Sequence, residues 1–160
     1  FHSDRFDEGW DTFGDPDELR ERMSEMHPRV RDFVMSVQDW RMYVLRDREP
    51  ASVWSKGRAT LLGDAAHPML QYLAQGACMA MEDAICLADE VTKHNGNYPI
   101  AFEAYQKQRY LRTARVQLTA RLYDFVYHAS GATADLRDNF LRSRTPAQIF
   151  ESMAWIYEPQ

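Results

Sequence analysis

The clearest change in the hydrophobic pattern of the chain falls between residues 58 and 91. Residues 59–62 form an apolar run that predicts a short buried strand, and Gly63 and Asp64 predict a corner at its end. An uncharged loop follows, and a helix is predicted to begin at Gly76. This order places a carboxylate at a strand end, beside the bare backbone amides of a helix start. Such a place suits an elongated ligand with hydroxyl groups in its middle and an electron-rich head.

The amino-terminal third of the chain predicts a strand, two short helices and a second strand. Residues 1–10 alternate between bulky and polar groups, as the last strand of a sheet would. Asp15 is a good helix N-cap before Pro16, and Pro28 separates this helix from the next one. Residues 39–47 alternate again, with bulky groups on both faces, which favours a strand that is covered on each side.

The carboxy-terminal part is predicted to be helical from Tyr98 onward. A long helix with charged and aromatic groups is expected to end near Ser130 and Gly131. The tail after Asp135 predicts another helix, which is capped at Thr145. The aromatic and aliphatic residues of this tail indicate docking on the body of the protein or on a second subunit.

Composition and charge narrow the class of protein. The 160 residues are 45% apolar, which is enough for a hydrophobic core. The net charge is −5 and no run of Lys or Arg is present, which argues against nucleic-acid binding. No apolar run approaches the ~20 residues of a membrane span, so no membrane partner is expected. Cys78 and Cys86 lie among apolar residues and are interpreted as reduced core thiols rather than a redox pair, which indicates the cytoplasm.

The string GDAAH, followed by a loop and then by QGA and MEDA on one helix, resembles the second flavin-contacting motif of the aromatic-ring hydroxylases, which are single-component FAD monooxygenases. The intervening PMLQY is similar to the 3-hydroxybenzoate 6-hydroxylase and salicylate hydroxylase branch. The segments FHSDRFDEGW and LRDREP also look like that branch. The Gly-rich first FAD motif of the family has no counterpart in the sequence, which begins with Phe1. We therefore expect the chain to be the C-terminal part of a larger enzyme.

The resemblance implies an α/β fold class. The chain would form a C-terminal, mostly helical part of an FAD- and NAD(P)-binding hydroxylase fold, with a few strands belonging to sheets that other residues complete. Residues 1–50 would contain the end of the substrate-domain sheet and connecting helices. Residues 51–95 would form the flavin-contacting strand, loop and helix, and residues 96–160 a C-terminal helical region. A stripe of mostly small residues on the flavin-contacting helix would pack closely on the absent dinucleotide-binding sheet. The stripe consists of Ala77, Ala80, Met81, Ala84, Ile85 and Ala88.

The resemblance also assigns the residues that bind FAD. Asp64, at the corner that Gly63 opens, would accept hydrogen bonds from the ribityl hydroxyls. Gln75, Gly76 and Ala77 would form the helix start, whose amides face the pyrimidine edge of the flavin and stabilise the negative charge that reduction places there. The alternative for Asp64 is that its side chain only caps the turn.

Gln71 is the candidate catalytic residue. Many salicylate-hydroxylase-like sequences have Pro at this place, whereas the 3-hydroxybenzoate 6-hydroxylase branch has a Gln that faces the substrate. Gln71 would therefore orient the phenol or the flavin peroxide, and Tyr72 would point the opposite way. His67 has two interpretations, a base for the phenol or a local structural hydrogen bond. The second is favoured, because the base in the resembling family comes from the sheet domain upstream.

Other residues also have a structural interpretation beside a functional one. Trp54 is interpreted as a core residue rather than a wall of the pocket. Glu82 and Asp83 are expected to pair with Arg residues of the absent sheet. A row of arginines spaced like a phosphate comb is expected to be a solvated or interfacial face, since acids lie nearby. Its members are Arg109, Arg112, Arg115 and Arg121.

The implied activity is hydroxylation of a phenolic aromatic acid. NADH or NADPH would reduce FAD, oxygen would add to give a flavin hydroperoxide, and its distal oxygen would attack the ring. The expected partners are the small aromatic substrate, the N-terminal part of the same enzyme, and a second copy in a homodimer formed through the C-terminal helices. No metal is implied. Two alternatives remain, a non-catalytic helical assembly module and a related flavin-dependent epoxidase or halogenase-like enzyme.

Overall fold

The computed structural model describes residues 12–158, which divide into two units at the boundary between Leu45 and Arg46. The strand predicted over residues 1–10 lies outside the described residues. Across residues 12–158, no helix combines the length and the apolar character that crossing a membrane requires.

The first unit contains two short helices, α1 (Pro16–Arg22) and α2 (Pro28–Met35). The side chain of Asp15 accepts a hydrogen bond from the Asp17 amide at 2.9 Å, so the predicted N-cap is confirmed. Pro28 occupies the first turn of α2, where its missing N–H leaves no intrahelical bond unmade. Both predicted helices are therefore present.

The strand predicted over residues 39–47 is wrong in its extent. Within the described chain, its pairing is limited to an isolated bridge between Phe13 and Arg41, flanked by a hydrogen bond from the Gly14 amide to the Trp40 carbonyl. The side chains of residues 39–47 still alternate between two faces, but one face is exposed. Tyr43 on that face is 56% exposed. A strand needs a continuous ladder of partners, and among the described residues only 12–14 pair with this segment.

The second unit begins with a small hairpin. Strands β1 (Ser55–Lys56) and β2 (Ala59–Thr60) pair antiparallel across a turn at Gly57, whose φ is +60°. The predicted buried strand over residues 59–62 is therefore half as long as expected. Its last two residues, Leu61 and Leu62, are 40% and 37% exposed, because no described strand covers them.

Two helices and the loop before them build most of this unit. Short 3-10 turns at Gly63–Ala65 and Gln71–Leu73 lead into α3 (Gly76–Lys93), which begins at the predicted residue. The long helix α4 (Tyr98–Tyr127) packs against α3. Trp54 is 4% exposed and lies in the core, so its structural interpretation is confirmed. The core cluster consists of Trp54, Ala66, Cys86 and Tyr105.

Two further helices, α5 (Gly131–Arg142) and α6 (Pro146–Ala154), follow α4. Helix α6 has the predicted cap at Thr145, completed by Gln148 into a reciprocal capping box. The tail after Asp135, predicted as a single helix, is therefore helical but divided in two, and α5 begins at Gly131, where the sequence predicts only the end of the preceding helix.

The buried face of α3 differs from the predicted one. Met79, Asp83, Cys86 and Glu90 are buried, whereas Met81 and Ile85 of the small-residue stripe are 60% and 65% exposed. Within the described chain, α3 thus turns a partly charged face toward α4 and leaves most of its apolar stripe uncovered. Packing of the stripe on a dinucleotide-binding sheet stays a prediction.

Candidate functional site

The corner after β2 is packed directly on α3. Gly63 is buried and has φ +58°, a left-handed conformation that favours glycine. A Cβ atom at Gly63 would lie only 3.2 Å from the Cβ of Ala80. The turn closes on itself through hydrogen bonds from the amides of Ala66 and His67 to the Gly63 carbonyl, at 2.8 and 2.9 Å. These contacts fix where the next residue, Asp64, leaves the corner.

Asp64 is exposed, and its carboxylate has no hydrogen-bond or ion-pair partner among residues 12–158. Its Oδ1 lies 3.8 Å from the point that a Cβ at Gly76 would occupy, so the carboxylate stands at the start of α3. The interpretation of Asp64 as a cap of its own turn is therefore wrong. The carboxylate is available to accept hydrogen bonds from a ligand.

The start of α3 has no side-chain cap. Gln75, which is buried, occupies the N-cap position without making a side-chain cap bond, and Ala77 in the first turn is exposed. The first amides of a helix lack intrahelical partners and carry partial positive charge. A carboxylate acceptor and an uncapped helix start thus lie side by side, as an FAD ribityl chain and flavin ring would require.

The loop between the corner and α3 leaves Gln71 and Tyr72 exposed to different extents. Gln71 is exposed, whereas the half-buried Tyr72 ring lies 5.7 Å from the Tyr127 ring and 5.8 Å from the His128 ring, between centroids. Burial, together with a hydrogen bond to Asp124, raises the pKa of Tyr72 to about 12. Tyr72 is thus packed against α4 and its C-terminal end, whereas Gln71 is open, and their opposite orientation stays a prediction.

The same loop ends in a strained backbone. Ala74 has φ +52° and ψ +34°, in the left-handed region that non-glycine residues rarely adopt. Earlier in the loop, the Gln117 side chain of α4 donates a hydrogen bond to the Pro68 carbonyl at 2.8 Å. No pattern in the sequence indicated Ala74, because alanine carries no signal for a positive φ. Such strain is concentrated at functional sites.

His67 has a structural partner, as predicted. The ring is 1% exposed, and its Nε2 lies 2.5 Å from Oδ2 of Asp83 in α3. The same oxygen accepts the Gly63 amide at 3.1 Å, and Arg109 of α4 donates to Oδ1 at 2.8 Å. Burial alone would raise the pKa of Asp83, but the hydrogen bonds from His67 and Arg109 outweigh it and lower that pKa.

A second acid extends this buried network. Glu82 accepts hydrogen bonds from Arg109 at 2.6 Å and from Arg112 at 2.6 and 2.7 Å. The hydrogen bond from Arg112 is the main cause that lowers the pKa of Glu82. Arg112 also donates to the Ile156 carbonyl at 3.0 Å.

One prediction about these charges is therefore wrong. Glu82 and Asp83 pair with arginines of α4 and not with those of an absent sheet. The arginine row is predicted to be a solvated or interfacial face, and Arg109 and Arg112, which are 4% and 7% exposed, lie in the interface between α3 and α4. The other two members of the row also lie in contacts. Arg115 lies over the Trp155 ring at 3.8 Å, and Arg121 pairs with Asp47 and Glu49.

The two cysteines are not joined. Cys86 is buried, which raises the pKa of its thiol, and Cys78 is half-buried. Within residues 12–158 no group of three or more His, Cys, Asp or Glu side chains is placed to hold a metal ion.

A sequence profile described as an FAD binding domain matches residues 2–119. The chain belongs to this FAD-binding domain family. The resemblance drawn from GDAAH and the following helix is thereby confirmed, as are the fold class and FAD as the cofactor of the family.

The curated relatives are named as hydroxylases. A 3-hydroxybenzoate 6-hydroxylase of Polaromonas naphthalenivorans is 41% identical over 157 residues, which are 98% of this chain and 39% of the relative. 3-Hydroxybenzoate 6-hydroxylase 2 of Aquipseudomonas alcaligenes is 38% identical over 98% of this chain and 49% of its own length. The chain thus spans less than half the length of these relatives.

Solved structures agree with the fold. HpxO of Klebsiella pneumoniae, as an R204Q variant complexed with FAD, matches with a TM-score of 0.72 and 29% identity over 89% of this chain and 39% of that one. A salicylate hydroxylase substrate complex matches with a TM-score of 0.75 and 27% identity over 99% of this chain and 38% of that one.

Proposed function

We propose that the protein containing this chain is an FAD-dependent monooxygenase that hydroxylates a phenolic aromatic acid of the 3-hydroxybenzoate or salicylate type, using NADH or NADPH and O2. The observation that carries the proposal is the exposed, unpartnered carboxylate of Asp64 beside the uncapped start of α3. Bound FAD supplies the electron transfer and oxygen activation that no side chain can perform. Two unlinked cysteines support a reducing compartment, the cytoplasm.

The residues of the corner and of the helix start have separate binding roles. The Asp64 carboxylate accepts hydrogen bonds from the ribityl hydroxyls, and Gly63 sets its direction. The amides at Gly76 and Ala77, with the N-cap residue Gln75, present partial positive charge to the pyrimidine edge of the flavin. Gly76 has no side chain between the carboxylate and the helix start, which leaves room for a ligand to approach the backbone.

Gln71 lies on the exposed side of the adjoining turn and is available to a substrate held above the flavin. Its amide group can both donate and accept a hydrogen bond, so it can orient a phenol hydroxyl. Such a hydrogen bond raises the rate of hydroxylation, because it holds the reacting atoms of the substrate in the required orientation.

The test uses the full-length protein. It should retain FAD through gel filtration, and NADH or NADPH oxidation should accelerate when 3-hydroxybenzoate or salicylate is added, with a hydroxylated product in the extract. A full-length protein that binds no flavin would end the proposal. Flavin binding without a hydroxylated product from any phenolic acid would instead favour an epoxidase or halogenase-like reaction.

Gln71 is tested by Gln71→Ala, with Gln108→Ala on the exposed side of α4 as a control. We expect kcat/KM for the aromatic acid to fall by about tenfold to a hundredfold, the size of a lost transition-state hydrogen bond. FAD affinity should stay unchanged, and the control should behave as wild type. Unchanged turnover by Gln71→Ala would remove the substrate role of this residue.

A second function, association through the C-terminal helices, has its own observation. Leu136 of α5 and Phe150 of α6 are 71% and 73% exposed in the described chain. Large apolar side chains that are exposed to this extent mark a surface that another protein covers. We propose that a second copy covers them and that the protein is a homodimer.

A further inference from the structure

We propose that Asp83 is a positioning residue of the flavin site, since its carboxylate holds Gly63 and His67, the two ends of the turn from which Asp64 projects. This inference rests on the proposed FAD-binding function. Asp83 itself has no exposed surface and would touch neither flavin nor substrate.

The carboxylate of Asp83 joins three donors from separate parts of the chain. Oδ2 accepts the Gly63 amide at 3.1 Å and faces His67 Nε2 at 2.5 Å, while Oδ1 accepts Arg109 Nε at 2.8 Å. An ionised carboxylate accepts at both oxygens, whereas an amide in the same place accepts at only one. The arrangement therefore depends on the charged form of this residue.

These bonds attach the corner to α3, which the turn cannot do by itself. The internal bonds of the turn return to the Gly63 carbonyl and fix only its own shape. On the other side, Arg48 donates to the carbonyls of Ala65 and Ala66 at 2.8 and 2.6 Å. Without Asp83, the turn keeps its shape but loses the hydrogen bonds that set its distance from the start of α3.

The direction of the Asp83 carboxylate is itself fixed by neighbouring charges. Arg109, which approaches from α4, also binds Glu82 at 2.6 Å and is 4% exposed. Glu82 is held in turn by two hydrogen bonds from Arg112. A buried carboxylate with all its donors in place has little freedom to rotate. Asp83 thus holds the turn that carries Asp64 in one place, and binding groups need to lie within about 0.5 Å of their productive position.

The primary test compares Asp83→Asn with Glu90→Gln in the full-length protein. Glu90 lies two turns further along the same buried face, is 7% exposed, and pairs with Lys93 at 3.1 Å and His94 at 3.2 Å, away from the corner. The readouts are the Kd for FAD by flavin fluorescence, the visible absorption spectrum of the bound flavin, and the Tm of the apoprotein. We expect Asp83→Asn to weaken FAD binding about tenfold, equivalent to about 1.4 kcal/mol, and to shift the flavin spectrum. Glu90→Gln should bind FAD as wild type does, even where its Tm falls equally.

A double variant separates positioning from general destabilisation. If Asp83 acts through Asp64, then Asp83→Asn should change the Kd for FAD by less than about threefold in an Asp64→Ala background, because coupled residues are not additive. Full additivity of the two losses in Kd would overturn the inference.

His67 keeps the inference testable should Asp83→Asn fail to fold. His67→Gln can still donate to Asp83 from nearly the place of Nε2, whereas His67→Ala cannot. We expect near wild-type FAD affinity for the first variant and weaker binding for the second. Equal FAD affinity in the two variants would overturn the positioning role. A wild-type protein that binds no FAD would overturn the proposed function, whereas Asp83→Asn binding FAD as tightly as Glu90→Gln would overturn only this inference.

Discussion

At the scale of single residues, Gly63 has two independent reasons to be glycine. Its φ of +58° disfavours any side chain, and a Cβ would meet Ala80 at 3.2 Å. Gly57 at the hairpin has a similar φ of +60° but open space around it. The same substitution at Gly57 and at Gly63 therefore separates the cost of backbone strain from the cost of close packing.

We expect Gly63→Ala to lower the free energy of unfolding by about 2–3 kcal/mol and Gly57→Ala by about 1 kcal/mol, since only the first adds overpacking to strain. Urea unfolding of both variants measures the difference. Gly63→Ala should also weaken FAD binding, which Gly57→Ala leaves alone. Equal losses in the two variants would show that the contact with Ala80 relaxes at no cost.

The two acids of the buried network predict how stability depends on pH. Because the pKa of Asp83 and of Glu82 is lower in the folded protein, the unfolded chain binds more protons under acid conditions. Their contribution to stability is complete above about pH 5, beyond the usual carboxyl pKa, and is lost as pH falls through the folded values. The free energy of unfolding should thus fall more steeply below about pH 4 in wild type than in Asp83→Asn. Urea titrations from pH 7 to pH 3 check this, and parallel curves would contradict it.

The surroundings of some residues can be predicted from the sequence and those of others cannot, for a physical reason. The core position of Trp54 and a structural hydrogen bond of His67 are predictable from the sequence, because each side chain has no other partner for chemistry in its own segment. The identity of Asp83 as the partner of His67, and the near-complete burial of Arg109 and Arg112, are not predictable, because a buried ion pair and a solvated one have the same residues at the same spacing. Only the packing of α4 on α3 decides between them.

At the scale of elements, the α3–α4 interface is held by charge as much as by apolar packing. Arg112 is buried, makes two hydrogen bonds to Glu82, and donates to the carbonyls of Trp155 and Ile156. Removal of Glu82 leaves the charge of Arg112 buried with only backbone carbonyls as partners. Removal of Arg112 leaves Glu82 with a side chain that is 35% exposed and still bonded to Arg109. Removal of both partners leaves no buried charge without compensation.

We expect Arg112→Met to lower the free energy of unfolding by about 1–3 kcal/mol, because Glu82 stays partly exposed and paired with Arg109 while the carbonyls of Trp155 and Ile156 lose a donor. Glu82→Met should cost more, because it leaves Arg112 buried, and the double variant should be less destabilised than Glu82→Met. Arg20→Met, which breaks an exposed pair with Asp17 on α1, should cost less than about 1 kcal/mol. Denaturant unfolding of the set gives the coupling energy. A double variant as unstable as the sum of the single variants would argue that the two side chains act separately.

The ends of an element are predictable from the sequence when the contacts that set them lie close by along the chain. The caps at Asp15 and Thr145 were predicted, because an N-cap bonds to residues two or three positions away. The strands over residues 39–47 and 59–62 were overestimated, because the length of a strand depends on partners that are distant in sequence. The small-residue stripe of α3 was recognised, but the sequence could not show that α4 packs on another face.

At the scale of the whole molecule, the open stripe of α3 predicts a covering surface in the full-length protein. The chain spans less than half the length of its relatives, and Met81 and Ile85 are largely exposed within it. We expect Ile85→Gln to destabilise the full-length protein by about 2 kcal/mol or more, as loss of a buried aliphatic side chain does. Gln108→Ala, at an exposed position of α4, should be neutral. Calorimetry checks both, and an unaffected Ile85→Gln protein would mean that the stripe faces solvent.

The assembly proposal has a test at the same scale. Truncation before Asp135 removes most of α5 and all of α6, and with them the exposed Leu136 and Phe150. We expect the mass in solution to fall from that of a dimer to that of a monomer while FAD remains bound. Light scattering gives the mass, and an unchanged association state after truncation would remove the basis for a homodimer.

The left-handed backbone at Ala74 has a consequence for tuning such an enzyme. This alanine bends the polypeptide between Gln71 and the start of α3 through its left-handed dihedrals, and it carries no functional group that could bind a ligand. A glycine there would adopt the same φ without steric cost and widen the range of paths open to the segment. Under the proposed function, Ala74→Gly should then change the preference among aromatic acids, although no residue that contacts the substrate is replaced.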